Sequence, residues 1–194
     1  MSSPHDFDFL HGDWQVRNRR RTDFLDPDGA WEEFSGTTRC RPLFDGAANI
    51  DEIDMPHLGR RGATLRLFDP AARQWSLYWA SSGTGRLYPP VTGRFEDGRG
   101  EFHGEDVHDG EDVRVRYVWS GTSPTTARWE QAFSVDGGTT WVTNWIMEFT
   151  REPAQADQAD QATQAAQVDQ VDRAARSTHS VQQLPRPASG TPGA

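Results

Sequence analysis

The sequence predicts an all-β protein: a single antiparallel, up-and-down β-barrel of about ten strands, with a short N-terminal helical turn and a disordered C-terminal tail. Three observations lead to this prediction. Turn-forming pairs such as Asp-Gly and Asp-Pro recur between residues 26 and 138 and separate short segments of alternating polarity. The connections are too short for helical crossovers, so neighbouring strands are antiparallel. Closing the sheet removes the edge strands that invite aggregation.

The turn residues and the alternation delimit ten candidate strands. They are 13–20, 31–41, 47–54, 62–68, 74–80, 91–96, 100–106, 111–119, 126–134 and 140–150. Ahead of them, residues 3–6 (Ser-Pro-His-Asp) have the pattern of a helix start, with serine as the N-cap and proline at the first helical position. Only a short turn fits before Gly12, and Phe7, Phe9 and Leu10 are expected to plug one end of the barrel.

The composition of the 194-residue chain suits one domain and argues against several kinds of protein. All twenty basic residues are arginines, and 29 acidic residues give a net charge of −9, which opposes binding to nucleic acid. Cys40 stands alone, which excludes an intrachain disulfide and a CxxC motif. We see no signal peptide and no apolar run near the ~18 residues of a membrane-spanning helix, and so expect a cytoplasmic protein.

Aromatic residues lie almost entirely before Phe149, which places the folded domain at 1–152 and a tail at 153–194. The tail contains six consecutive triplets of the type Gln-Ala-Asp at 155–172. In a helix, a three-residue period advances by about 300° per repeat, so the apolar stripe would circle the helix and leave no docking face. We interpret the tail as disordered or transiently helical.

A hairpin motif precedes the last predicted strand. Ser134, Asp136, Gly138 and Trp141 fit the pattern S-x-D-x-G-x-T-W, which resembles the Asp box of sialidase-like propellers. The serine and aspartate oxygens accept backbone N–H groups across the turn, and glycine permits a positive φ. Because the motif occurs once and no propeller period is visible, it predicts a stiff structural hairpin and not glycosidase chemistry.

The motifs of covalent, nucleotide and metal chemistry are missing from the sequence. No histidine pair has zinc-site spacing with a third ligand nearby, so no metal and no cofactor are expected. His103 lies between Glu101 and Glu105 on one strand face, where an acid–base role competes with simple exposure to solvent. His57, in a Pro-His-Leu-Gly loop, is the histidine with which a haem-binding barrel could be argued.

Strand alternation predicts which side chains face the barrel interior. The predicted ligand-binding set is Leu65, Leu67, Trp79, Tyr117, Trp129, Gln131, Trp145 and Met147. On the third strand, Ala48 and Ile50 are taken as inward, which turns Glu52 inward as well and requires a partner for its carboxylate. An aromatic lumen with a few polar groups is typical of a small-molecule pocket, although the aromatic side chains could instead fill the barrel solidly.

The chain also resembles a known family. The segments that carry the resemblance are WEEF (31–34), LRLFDP (65–70), QWSLYW (74–79), GRFEDG (93–98), RWEQAFSVDGGTTW (128–141) and TNWIMEFTR (143–151). They are similar to bacterial calycin-like (lipocalin- and fatty-acid-binding-protein-like) barrels of unknown function. The resemblance implies binding of an apolar or amphipathic small molecule, and a structural contact between Trp14 of the first strand and Arg151 after the last.

Three functions follow as hypotheses. The first is a binding protein that shelters a small hydrophobic molecule in its lumen, with a homodimer left open. The second is an enzyme of secondary metabolism, an isomerase, cyclase or hydro-lyase, in which buried Glu52 or Tyr117 moves a proton. The third is a haem-binding barrel that uses His57.

Overall fold

Eleven antiparallel strands make up most of residues 2–151, the part of the chain described by this computed structural model. They are β1 (Gly12–Arg21), β2 (Trp31–Leu43), β3 (Ala48–Met55), β4 (Arg60–Asp69), β5 (Gln74–Ser81), β6 (Arg86–Leu87), β7 (Val91–Glu96), β8 (Arg99–His108), β9 (Glu111–Ser120), β10 (Thr126–Ser134) and β11 (Val142–Thr150). Short 3₁₀ turns lie at Asp8–Leu10, Phe44–Gly46 and Pro56–Leu58. Within the described residues, no helix has the length and apolar character to cross a membrane. The predicted tail, 153–194, falls outside them.

Hydrogen bonding closes the sheet into a barrel of ten strands, as predicted. The strand order is β4-β3-β2-β1-β11-β10-β9-β8-β7-β5, and pairing between β4 and β5 completes the circle. β6, which the sequence did not predict, adds two residues alongside the end of β5. A pair of residues is too short to show alternation, so no periodic signal marks this strand.

The N-terminal 3₁₀ turn closes one end of the barrel, which confirms the predicted plug. Phe7 is fully buried, and its ring meets the rings of Trp75 and Phe95 edge to face, with centroids 5.0 Å away in each case. The Trp75 indole N–H donates to the backbone oxygen of Ser3 (3.2 Å) and to the Asp6 carboxylate (3.3 Å). Aromatic packing and these hydrogen bonds together fix the plug against the ends of the strands.

Trp14 and Arg151 meet beside this plug, as the family resemblance implied. The guanidinium carbon of Arg151 lies 4.1 Å from the centre of the Trp14 ring. The guanidinium also donates to the backbone oxygens of Phe9 (2.9 Å), His11 and Pro124 (2.7 Å). One side chain thus connects the end of the last strand to the N-terminal turn and to the β9–β10 loop.

The hairpin between β10 and β11 has the geometry that its motif predicted. The Ser134 hydroxyl donates to Asp136 (2.7 Å) and accepts the backbone N–H of Gly138 (2.8 Å), which has a φ of +95°. The Asp136 carboxylate accepts the hydroxyl (2.7 Å) and the backbone N–H (2.9 Å) of Thr140. The Trp141 indole donates to the Gly138 carbonyl (3.0 Å). The hydrogen bonds that the Asp136 carboxylate accepts hold its pKa well below the usual range, and the one from the Thr140 hydroxyl has the largest effect.

This lowered pKa makes the hairpin's contribution to stability depend on pH. The contribution is complete above the pKa of aspartate in the unfolded chain, about 3.9, and is lost as the pH falls toward the lower folded-state pKa. We therefore expect the difference in urea midpoint between the wild type and Asp136→Asn to be largest near neutral pH and to shrink below about pH 4. Urea titrations at a series of pH values measure it. A difference that stays constant down to about pH 2 would contradict the account.

Candidate ligand-binding site

A narrow cavity of about 60 Å³ lies in the barrel lumen above the N-terminal plug. Its walls are mainly aromatic, and a polar group that contains Asp51 and Arg66 lies at one side. The lining residues are Asp51, Ile53, Thr64, Arg66, Leu77, Trp79, Tyr117, Trp119, Trp129, Gln131, Trp145, Met147 and Phe149. Inward-facing positions of β3 to β5 and β9 to β11 supply them, so the lumen is not completely filled by side chains.

Toward the end opposite the plug, a wider cup of about 400 Å³ adjoins the cavity. Four side chains line both spaces and therefore form a neck between them: Trp79, Tyr117, Gln131 and Trp145. The rim of the cup carries charges of both signs. They are Arg20, Arg60 and Arg86, and Glu105, Asp106 and Asp109. The site is thus apolar in its depth and polar at its entrance, the arrangement expected of a small-molecule pocket.

Six of the eight predicted lumen residues line the deep cavity: Trp79, Tyr117, Trp129, Gln131, Trp145 and Met147. The inward orientation predicted for Leu65 and Leu67 is wrong. Both leucines lie on the outer face of β4, partly exposed, because its even-numbered residues Thr64 and Arg66 face the lumen. Leu65 pairs across the sheet with Ile50 and Tyr78, so an apolar row covers this part of the outer surface.

The inward orientation predicted for Glu52 is also wrong, for the same reason. Its side chain is 64% exposed and pairs with Arg61 on the outer face (3.3 Å). On β3 the odd-numbered residues face inward, so that the lumen receives Asp51 and Ile53 and not Ile50. The expected proton-transfer role of Glu52 inside the lumen is thereby excluded.

A buried ion pair between Arg66 and Asp51 lies in the lumen, where Leu65 and Leu67 were predicted. Arg66 Nη1 donates to Asp51 Oδ1 (2.7 Å) and to Asn49 Oδ1 (3.0 Å), and the arginine is 3% exposed and the aspartate 7%. Asp51 Oδ2 accepts the Thr38 hydroxyl (3.1 Å). The register pairs Asn49 with Arg66, and Asp51 lies two residues further along β3, on the same face. The opposite charges of Asp51 and Arg66 on neighbouring strands are the signal in the sequence that could have revealed the pair.

Tyr117 stands at the neck with its ring packed against that of Trp129 (centroids 4.9 Å apart). Burial raises the pKa of its hydroxyl above the ordinary value, and the nearby Asp106 carboxylate acts in the same direction. The hydroxyl is therefore protonated at neutral pH. It can donate a hydrogen bond to a molecule in the lumen, but it is poorly suited to act as a base.

Sequence reasoning missed Phe24, which covers part of the cup. It belongs to the β1–β2 loop, is 8% exposed, and stacks on the imidazole of His108 (centroids 5.1 Å apart). The Asn144 amide donates to its backbone oxygen (3.2 Å) and accepts a hydrogen bond from the neck residue Gln131 (2.9 Å). Asn144 is fully buried, because a bulge between Gln131 and Ala132 shifts the register of β10 and β11.

The histidines singled out from the sequence lie away from the lumen. His57 stacks on Phe34 (centroids 5.1 Å apart), 3.4 Å from the Glu32 carboxylate, and lines neither the cavity nor the cup. The haem hypothesis, which needs His57 above an apolar slot, is therefore not supported by its position. His103 pairs with Glu101 (2.9 Å) and is half exposed.

Cys40 is buried beside the polar group, with its sulfur 3.6 Å from Asn49 Oδ1. Burial raises the pKa of the thiol to about 12. Since the thiolate is the reactive form, we expect a disulfide reagent at neutral pH to modify Cys40 at least about 100-fold more slowly in the native protein than in denaturant. Absorbance of the released thiol measures both rates. Native and denatured rates within about tenfold of each other would contradict the burial described here.

The fold and the site together define a closed antiparallel barrel with an aromatic-lined lumen. No protein family and no curated protein matches the sequence. Among solved structures, the barrel is similar to an S-type phycobiliprotein lyase, CPES, from Guillardia theta. The two chains are 11% identical, with a TM-score of 0.51 over 79% of this chain and 94% of the lyase. A protein of unknown function from the DUF3598 family of Nostoc punctiforme is 10% identical over 78% of this chain and all of its own, with a TM-score of 0.25.

Proposed function

We propose that the barrel binds a small hydrophobic or amphipathic molecule in its lumen. The observation that carries the proposal is a pair of adjoining spaces, an aromatic-lined deep cavity and a wider cup, which share the four residues of the neck. Burying apolar surface there gains roughly 25 cal/mol per Å². A cavity of about 60 Å³ is much smaller than the ~150 Å³ in which benzene binds an engineered protein. The narrow end of the molecule therefore enters the cavity, and its bulk lies in the neck and the cup.

The similarity to the phycobiliprotein lyase supports the fold alone at 11% identity, so the proposal of binding rests on the lumen itself. We place the chain, as part of the same proposal, in the bacterial calycin-like family that its sequence resembles. Residues 153–194 are assigned no part in binding.

Binding without catalysis fits the lumen better than the enzyme alternative. The carboxylate that faces the cavity belongs to Asp51, and it is already paired with the Arg66 guanidinium at 2.7 Å, with the Thr38 hydroxyl 3.1 Å from its second oxygen. Tyr117 is left as the candidate catalytic residue, and its raised pKa makes it a hydrogen-bond donor at neutral pH. A general base needs a free basic atom near the reacting group.

A pair of neighbouring substitutions tests the proposal. Thr64 faces the cavity and Leu65 faces outward, so Thr64→Phe fills the lumen, whereas Leu65→Phe adds an aromatic ring to the outer surface. The probe is N-phenyl-1-naphthylamine, a neutral compound whose fluorescence rises in apolar surroundings. We expect the wild type and Leu65→Phe to bind it equally, and Thr64→Phe to bind it at least about tenfold more weakly.

Thermal unfolding of the three proteins provides the control for folding, because overpacking a core costs about 1–3 kcal/mol. A folded Thr64→Phe variant that binds the probe like the wild type would contradict lumen binding. So would a wild type that produces no fluorescence rise.

A further inference from the structure

The polar group at the side of the cavity has more hydrogen-bond donors than acceptors. A guanidinium has five N–H donors, and among the described residues those of Arg66 Nη1 have partners while the buried Nε has none. The indole N–H of Trp119, another cavity residue, is also buried and without a partner in residues 2–151. The Arg66 guanidinium carbon lies 5.7 Å from the centre of the Trp119 ring, so the two side chains are neighbours in the cavity wall and form one cluster.

Each side-chain acceptor of this cluster already has a donor within hydrogen-bond distance. Asp51 Oδ1 accepts from Arg66, and Asp51 Oδ2 lies 3.1 Å from the Thr38 hydroxyl, whose one proton can go to it or to the Glu52 backbone oxygen at 2.9 Å. Asn49 Oδ1 accepts from both Arg66 (3.0 Å) and the Cys40 thiol (3.6 Å), and the Asn49 amide nitrogen is a further buried donor without a partner in the described chain. Buried donors normally have hydrogen-bond partners. A molecule in the cavity therefore gains the most binding free energy at this cluster by bringing an oxygen acceptor.

The charge of the cluster decides what kind of acceptor fits. The positive charge of Arg66 is balanced by Asp51 at 2.7 Å, and both groups are buried. A carboxylate or phosphate would place a second negative charge next to Asp51 in a site with little water, which is unfavourable. The net charge of −9 on the chain further opposes the approach of an anion. A neutral oxygen leaves the buried site without net charge.

We propose that the Arg66 and Trp119 cluster recognises a neutral carbonyl oxygen, as in a ketone, quinone, ester or amide, at the narrow end of the bound molecule. This inference rests on the proposed function, because it assigns a head group to the molecule that the lumen shelters. The apolar body then extends past Trp129 into the neck, against Trp145 and Trp79, and into the cup.

Three naphthalenes of nearly equal shape test the inference. Each is used to displace N-phenyl-1-naphthylamine from the wild type: 2-acetylnaphthalene with a neutral carbonyl, 2-ethylnaphthalene with no acceptor, and 2-naphthoate with a charged one. We expect 2-acetylnaphthalene to bind at least tenfold more tightly than either of the others, since its oxygen pairs with buried donors.

Equal affinity of the acetyl and ethyl compounds would overturn the inference and leave lumen binding intact. Tighter binding of 2-naphthoate, or no displacement by any of the three, would overturn it as well. Failure of N-phenyl-1-naphthylamine itself to bind would instead remove the proposed function.

A double variant provides the matched control. Asp51→Leu/Arg66→Met removes both charges together and keeps the site neutral. We expect it to lose the tenfold preference for the acetyl compound over the ethyl compound, whatever its absolute affinity for either. A preference that survives in the folded double variant would contradict the role of Arg66.

Infrared spectroscopy tests the same contact in the wild type, independently of whether the double variant folds. The stretching band of carbonyl-labelled 2-acetylnaphthalene is expected at a lower frequency in the protein than in an apolar solvent, because a hydrogen bond weakens the C=O bond. A band at the apolar-solvent position would overturn the inference.

Discussion

The single substitution Arg66→Met is expected to lower the free energy of unfolding by about 3–5 kcal/mol, because it leaves the buried Asp51 carboxylate without its cation. The double variant Asp51→Leu/Arg66→Met is expected to recover most of that loss, since replacing a buried ion pair by apolar side chains is often neutral. Urea denaturation followed by tryptophan fluorescence measures both differences.

Arg61→Met is the matched control, because Arg61 lies on the same strand but pairs with Glu52 on the outer surface, where both side chains are more than half exposed. Exposed pairs contribute about 0–1 kcal/mol, so this variant should unfold nearly like the wild type. If Arg66→Met lost no more stability than Arg61→Met, the Arg66 and Asp51 pair would not be a buried ion pair in solution.

Truncation of the plug is expected to have an effect of similar size. Phe7→Ala removes a fully buried ring that touches Trp75, Phe95 and Phe102, and such changes cost about 3–5 kcal/mol. The loss has two parts: the apolar surface that is no longer buried, and the cavity left beneath the strand ends. Thermal and urea denaturation both report it.

Phe44→Ala provides the comparison for this second prediction. Phe44 lies in the β2–β3 connection and is 73% exposed, so its truncation should change stability by no more than about 0.5 kcal/mol. A Phe7→Ala variant as stable as Phe44→Ala would show that the N-terminal turn does not close the barrel.

The strands were predictable because turn residues and alternation are local signals. Asp-Gly pairs at 97–98 and 109–110 lie at hairpin turns, where Asp97 and Asp109 adopt positive φ values. Antiparallel neighbours followed from the short connections, and closure from the removal of edge strands. The plug was predictable because Phe7 and Leu10 bring apolar side chains just ahead of the first strand.

The orientation of β3 and β4 was not predictable from hydrophobicity. The rule that apolar residues face inward assigns Leu65 to the lumen, yet the ion pair places Asp51 and Arg66 inward and turns Ile50 and Leu65 outward. Ile50 and Leu65 then shield each other on the outer face as cross-strand neighbours. Arg66 is tolerated inside because Asp51, on the neighbouring strand, lies within hydrogen-bond distance, and that pairing requires knowledge of the register.

Two features near the cup and the neck depend on long-range packing and leave no local pattern in the sequence. Phe24 reaches the cup from a loop, and its partner His108 lies at the end of a distant strand. Asn144 is turned inward by a bulge whose position alternation does not reveal. The aromatic residues of β9 to β11 were placed correctly because, outside the bulge, those strands follow the simple alternation.

Native mass spectrometry of the protein purified from its own host tests lumen binding most directly. We expect the wild type and Leu65→Phe to retain the same small molecule, released on denaturation, and Thr64→Phe to lack it. Wild-type protein that consistently carries no added mass, or a folded Thr64→Phe variant that retains the same molecule, would contradict a binding site in the lumen.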